Sequence, residues 1–390
     1  MARVKGFDGL RAIAVLAVML FHVDRGIAGG GWIGVDLFFV LSGFLITTLL
    51  LREHARNRRI ALADFYVRRF ARLYPALLVM VVACLPFAAY LGYKSQAEGY
   101  VVTAAVTLTY LSDIAIYLSG HAYGRFTHTW SLAVEEHFYL LWPIVVVLLR
   151  GRRRFVLAAA LGGATLSFLA TAFGSGRTVF DKGTPVAYFA PHTRMFELLL
   201  GAAAAALVFS RAGHGPGRQL DRLVGGRVGG VLRPVAPALA PLGLLGLGAV
   251  MVYAGAVPRS EGFTLQLLAA GLTSCLLVLG VYLAQGSALV RALEWAPLAW
   301  LGTVSYGIYL FQSPILKLAD HYLDAGTLSQ LVVWLPLTVG AAALSNRYLE
   351  APVRDWARRR LTTSAPHAPL PQQSHDTAAA KVEVDAGSLR

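Results

Sequence analysis

The chain has 390 residues, 56% of them hydrophobic and 14% charged, with a formal net charge of +14 and a mean hydropathy of +0.59. Soluble domains carry about 25% charged residues, so this composition excludes an ordinary soluble fold and implies a multi-pass protein of the cell membrane. The basic excess falls in short runs between apolar segments, as in cytoplasmic loops, which argues against a nucleic-acid partner.

The first apolar run is 9–24, GLRAIAVLAVMLFHVD. The preceding MARVK mimics a signal peptide, but Asp8, Arg11 and His22 interrupt the pattern and no clear cleavage site follows. A retained span is expected. Arg11 and His22 lie about three turns apart on one helix face, separated by roughly 16 Å along the axis. A charge at the bilayer centre costs on the order of 2.5–3.5 kcal/mol. Two polar groups on one face therefore suggest an interior cavity. A snorkelling Arg11, with His22 at the outer end, fits the same pattern.

The second run, 33–51, follows Gly30, Gly31 and Gly34 and carries Asp36 at a depth close to that of His22. A carboxylate beside an imidazole orients it and raises its basicity. An Asp stabilised by a helix N-terminal dipole is the plainer alternative. Entering the third run, 73–92, the stretch FYVRRFARLYP places Arg69 and Arg72 on one face, with Arg68 beside them. Guanidinium forks suit phosphate oxygens, although a cytoplasmic charge belt has the same look.

The run 101–118 contains Asp113. If it crossed the bilayer, the basic stretches 150–154 and 211–233 would both face outward, against the inside-positive rule. It is expected to be re-entrant or interfacial. The remaining runs are 131–149, 154–173, 192–210, 235–256, 263–284, 298–317 and 327–349. The fold class is then all-α and polytopic, with about ten spans and both termini cytoplasmic.

In HTWSLAVEEHFYLLWP, 128–143, Ser131 and Glu135 share a face four residues apart. Adjacent Glu135 and Glu136 are costly in a membrane helix unless they meet water or partners. A helix start favoured by the dipole is the alternative. Arg194 and Glu197 read as a structural i,i+3 pair, and 300–314 and 345–356 as packing segments rich in small residues and Tyr. Cys84 and Cys275, both in apolar runs, offer neither a metal spacing nor a disulfide framework. Residues 1–356 read as one transmembrane domain, and 357–390 as a polar, disordered cytoplasmic tail.

In order along the chain stand Arg11 and His22, GVDLFFVLSGFLIT, RRFARLYP, WSLAVEEHFYLLWP, SYGIYLFQSP and LEAPVRDW. This combination resembles the membrane acyltransferase-3 family over nearly all of residues 5–356. The resemblance implies transfer of an acyl group, acetyl by default, from cytoplasmic acyl-coenzyme A to an acceptor hydroxyl. Acyl-coenzyme A is then a co-substrate, with no cofactor and no metal. The acceptor is a carbohydrate or a macrolide-like natural product. The family's basic residue and histidine match Arg11 and His22, its Arg-x-x-Arg motif matches Arg69 and Arg72, and its Trp-Ser-Leu segment with the following acid matches Trp130, Ser131 and Glu135. The implied roles are His22 as general base, Asp36 or Glu135 orienting or charging it, Arg11 in the donor tunnel or stabilising developing negative charge, and Ser131 holding substrate. Gln312 departs from the pattern, since many relatives carry His there. The chain also reads as the short form without a fused extracytoplasmic domain.

Two other classes fit the intramembrane charges. A transporter of a glycolipid or antibiotic would need no coenzyme A site. A sensor or assembly protein would use the charges only to hold helices together.

Overall fold

The computed structural model describes residues 4–87, 97–120, 124–174, 178–179, 184–209, 227–258, 261–323 and 330–363. In chain order the helices are α1 (Lys5–Val23), the single turn α2 (Arg25–Ala28), α3 (Gly34–Asn57), α4 (Leu62–Cys84), α5 (Ala97–Leu108), α6 (Ser112–Ser119), α7 (Trp130–Leu148) and α8 (Arg153–Phe173). They continue as α9 (Pro191–Val208), α10 (Arg227–Ala256), α11 (Phe263–Leu283), α12 (Ala288–Leu293), α13 (Ala296–Thr303), α14 (Ser305–Leu323), α15 (Leu335–Ser345) and α16 (Ala351–Thr363). A two-residue antiparallel pair, β1 (Thr178–Val179) with β2 (Thr184–Pro185), sets Thr178 opposite Pro185.

Among the described residues, seven helical segments are long and apolar enough to cross a membrane: 6–23, 31–57, 62–87, 126–148, 153–173, 235–256 and 263–283. This is a multi-pass membrane protein. Of the other three expected runs, 192–210 is the unbroken helix α9, and the described parts of 298–317 and 327–349 are helical with interruptions. The helix α9 carries Arg194 and Glu197 in its first half, which lowers its hydropathy. A break at Val304 separates α13 from α14. Flanking α15 are π-helical turns at Gln330–Trp334 and Asn346–Glu350. The run 101–118 divides at Tyr110, whose φ of 55° is left-handed. The 12 residues of α5 and the 8 of α6 reach roughly 18 and 12 Å, well short of a hydrocarbon core. One boundary shifts: α16 continues past residue 356, where the tail was expected to begin, and residues 364–390 lie outside the described residues.

Lipid gives helices little hydrophobic reason to associate, so small residues and polar pairs decide the packing. The second span, 31–57, is the hub, with 83% of its most apolar window buried, against 22% for 235–256. It crosses α9 at bare glycines. A Cβ on Gly43 would stand 1.8 Å from the Leu198 carbonyl oxygen, and one on Gly201 2.0 Å from that of Val40. Gly31, in the turn before α3, against Ala17 and Gly34 against Ala14 likewise seat this span on α1 and fix their register.

Candidate active site

Two adjoining cavities share the walls Arg11, Ser42, Arg69, Arg72 and Tyr139. The wider one, about 710 Å³, opens among the start of α1, the second half of α3, the start of α4 and α16. The narrower, about 70 Å³, continues between α3, α4, α7 and α14 to Val35, Ser131 and Tyr309. Along α3 the lining runs from Arg52 to Val35. Those seventeen residue-to-residue steps span roughly 26 Å, close to the ~30 Å hydrocarbon thickness. Seven arginines (11, 52, 68, 69, 72, 354 and 358) face the wide cavity, and Asp8 and Glu135 are the carboxylates of the two linings.

At the neck, Arg69 lies over the Tyr139 ring, 3.4 Å from its centroid. Its guanidinium is 4.0 Å from Glu135 and 3.7 Å from Glu136. Glu135 also accepts hydrogen bonds from Ser42 Oγ and Tyr139 Oη, both at 2.9 Å. The adjacent acids of α7 thus meet a cation and hydroxyl donors, which makes charge tolerable at this depth. Arg11 pairs at a distance with Asp8, at 3.8 Å. Among the described residues, Arg72 and Arg354 have no carboxylate within ion-pair distance. This excess of cations over carboxylates in the linings makes the cavity an anion site. Deeper in, the hydroxyls of Ser131 and Tyr309 are hydrogen-bonded at 2.6 Å.

Of the residues singled out from sequence, Arg11, Arg69, Arg72, Ser131 and Glu135 meet in the narrow pocket. His22, Asp36 and Trp130 are not among the lining residues of either cavity. The contact expected between His22 and Asp36 or Glu135 is not formed. Asp36 is fully buried and accepts from Arg194 Nη2 at 3.0 Å, while Glu197 lies 3.1 Å from Arg194 Nη1. A buried carboxylate takes the nearest guanidinium because an unpaired charge there is far costlier. Trp130 belongs to the aromatic cage of that cation, its ring 5.6 Å from the Arg194 guanidinium beside Phe39 and Tyr188. Half-buried His22 is oriented instead by its own helix: Nδ1 lies 2.7 Å from the Val18 carbonyl oxygen. That carbonyl can only accept, so Nδ1 carries the hydrogen and Nε2 is the basic nitrogen.

Sequence reasoning missed Ser42, Tyr139, Tyr309, Arg52, Arg354 and Arg358. Tyr139 was within reach, standing one turn beyond Glu135 on the same face. The others enter through contacts between distant helices. Arg354 and Arg358, four apart on α16, had the look of an ordinary basic flank.

Residues 4–346 match the profile of the acyltransferase-3 family, described as an acyltransferase domain. The peptidoglycan O-acetyltransferase OatA of Listeria monocytogenes is 31% identical over 376 residues, 90% of this chain and 56% of that protein. The O-acetyltransferase OatA of Staphylococcus aureus is 29% identical over 370 residues, 90% of this chain and 57% of that protein. YrhL of Bacillus subtilis is 32% identical over 367 residues, 90% and 55% respectively. The chain spans little more than half the length of these relatives. No solved structure matches.

Proposed function

Because this chain belongs to the acyltransferase-3 family, we propose that it is an integral membrane O-acetyltransferase. It moves an acetyl group from cytoplasmic acetyl-coenzyme A to a hydroxyl of a carbohydrate acceptor. The observation that carries this reading is the arginine-lined cavity narrowing into a hydroxyl-lined pocket over nearly a bilayer's thickness. Coenzyme A is a polyanion joined to a slender pantetheine arm, and the two cavities have those shapes and charges in that order. The names of the relatives favour acetyl as the group and a cell-wall glycan over a macrolide-like acceptor.

The wide mouth is taken as cytoplasmic. In support, His54 in the last turn of α3, with Arg58, Arg59, Arg150 and Arg152 from the loops after α3 and α7, lines one groove of about 490 Å³. That is the charge pattern of an inner face. The diphosphate of the donor rests at Arg11, Arg69 and Arg72, and the thioester passes the neck. His22 Nε2 removes the proton of the acceptor hydroxyl as its oxygen attacks the carbonyl carbon. The carbon–sulfur bond breaks and the departing thiolate takes up a proton to leave as coenzyme A. Arg11 and the Ser131–Tyr309 hydroxyls supply positive charge and donors along the acyl path. Glu135 acts by holding Arg69, and Asp36 by holding Arg194.

The test is transfer by the purified protein in detergent, together with donor binding by calorimetry. His22→Ala should lower transfer about 10²–10⁴-fold while acetyl-coenzyme A still binds. Arg69→Ala should weaken donor binding. A well-folded wild type that binds no acetyl-coenzyme A would overturn the enzyme reading in favour of a transporter.

A further inference from the structure

Helix α16 lies beyond residue 346, where the family match ends, yet it forms part of the mouth of the wide cavity. Arg354 and Arg358, one turn apart, both face that space. The arginines of this cavity fall into two ranks. Arg11, Arg69 and Arg72 also line the narrow pocket and so stand at the neck, while Arg52, Arg68, Arg354 and Arg358 line the wide cavity alone and stand at the mouth. Arg52 donates to Tyr282 Oη at 3.1 Å, and Arg68 pairs with Asp64 at 3.8 Å. Arg358 has a loose, largely exposed partner in Asp355 at 4.0 Å. Arg354 is half-buried, with Glu350 one turn earlier acting on it from beyond ion-pair distance. Two aligned guanidinium groups facing one cavity mouth suit a dianionic phosphomonoester better than any neutral group.

We propose that Arg354 and Arg358 form a subsite for the ribose 3′-phosphate of coenzyme A, so that α16 selects the 3′-phosphorylated donor. The inference rests on the acetyl-coenzyme A reading above. Coenzyme A carries its diphosphate in mid-molecule and its lone phosphomonoester on the ribose, at the end away from the thioester. With the thioester directed into the narrow pocket and the diphosphate at the neck, the 3′-phosphate comes to the mouth.

The experiment compares binding of acetyl-coenzyme A and of acetyl-3′-dephospho-coenzyme A to the full-length protein in detergent. Wild type should prefer the 3′-phosphorylated donor by about tenfold or more, the scale of a charge-assisted contact. In Arg354→Ala/Arg358→Ala that ratio should collapse toward one, and Arg354→Lys should keep most of it. An unchanged melting temperature shows that the variants fold. The comparison is a ratio within each protein, so a general loss of affinity does not imitate the effect. A ratio that persists in the double variant overturns the subsite while leaving the donor reading intact. A folded wild type that binds neither donor overturns the donor reading, and the subsite with it.

Discussion

Arg194, Asp36 and Glu197 show how a buried charge constrains its neighbours. All three are fully buried, and the guanidinium is ringed by Phe39, Trp130 and Tyr188. Removing the cation strands two carboxylates without water, a loss of about 3–5 kcal/mol by the usual scale for broken buried pairs. Arg194→Met should therefore lower the thermal midpoint sharply in detergent, and adding Asp36→Asn and Glu197→Gln should recover much of it. If all three changes were additive, with no recovery, the cluster would not act as a unit. Half of this cluster was visible in the sequence, because Arg194 and Glu197 share one helix face. The other half was not. Asp36 stands 158 residues from Arg194, and helical periodicity carries no information about which foreign helix will face it. The same limit misdirected the reading of His22, whose orienting acceptor is a backbone carbonyl one turn earlier and thus has no signature in the side-chain pattern.

At the scale of elements, hydropathy located seven helices that can cross, because twenty-odd apolar residues leave few alternatives in water or lipid. It could not see that the run 101–118 breaks at Tyr110, nor that α16 returns to the cavity mouth. Both depend on what the segment packs against. The crossing of α3 and α9 depends on single atoms. An added Cβ at Gly43 or Gly201 meets a carbonyl oxygen at 2.0 Å or less, and backbone cannot yield as a flexible side chain does. Gly201→Val should separate the two helices and reduce the yield of folded, monodisperse protein. Gly248→Val, on α10 with nothing within 4 Å of its Cβ position, should leave that yield near wild type. Equal yields would mean that the close approach is dispensable.

Across the whole molecule, the paired cavities follow α3 over nearly a bilayer's thickness, and the side from which they open can be tested at one residue. Ser42 lies at the neck, lining both spaces and bonded to Glu135. In a background lacking Cys84, which is buried, and Cys275, which is half-buried, Ser42→Cys places a single thiol at the narrowest point. A membrane-impermeant thiol reagent should reach it in oriented vesicles only from the side bearing the α1 N-terminus, because the wide cavity opens there. Acetyl-coenzyme A should slow the labelling, and the labelled protein should lose transfer while the unlabelled variant retains it. Labelling from the opposite side alone would reverse the orientation argued from the basic loops. Labelling that the donor does not slow would mean that the thioester bypasses this neck, and the alignment of the two cavities would then owe nothing to the acyl path. The choice of Ser42 matters to the inference, since Arg69 or Glu135 changed to cysteine would disturb the charge cluster that the experiment takes as intact.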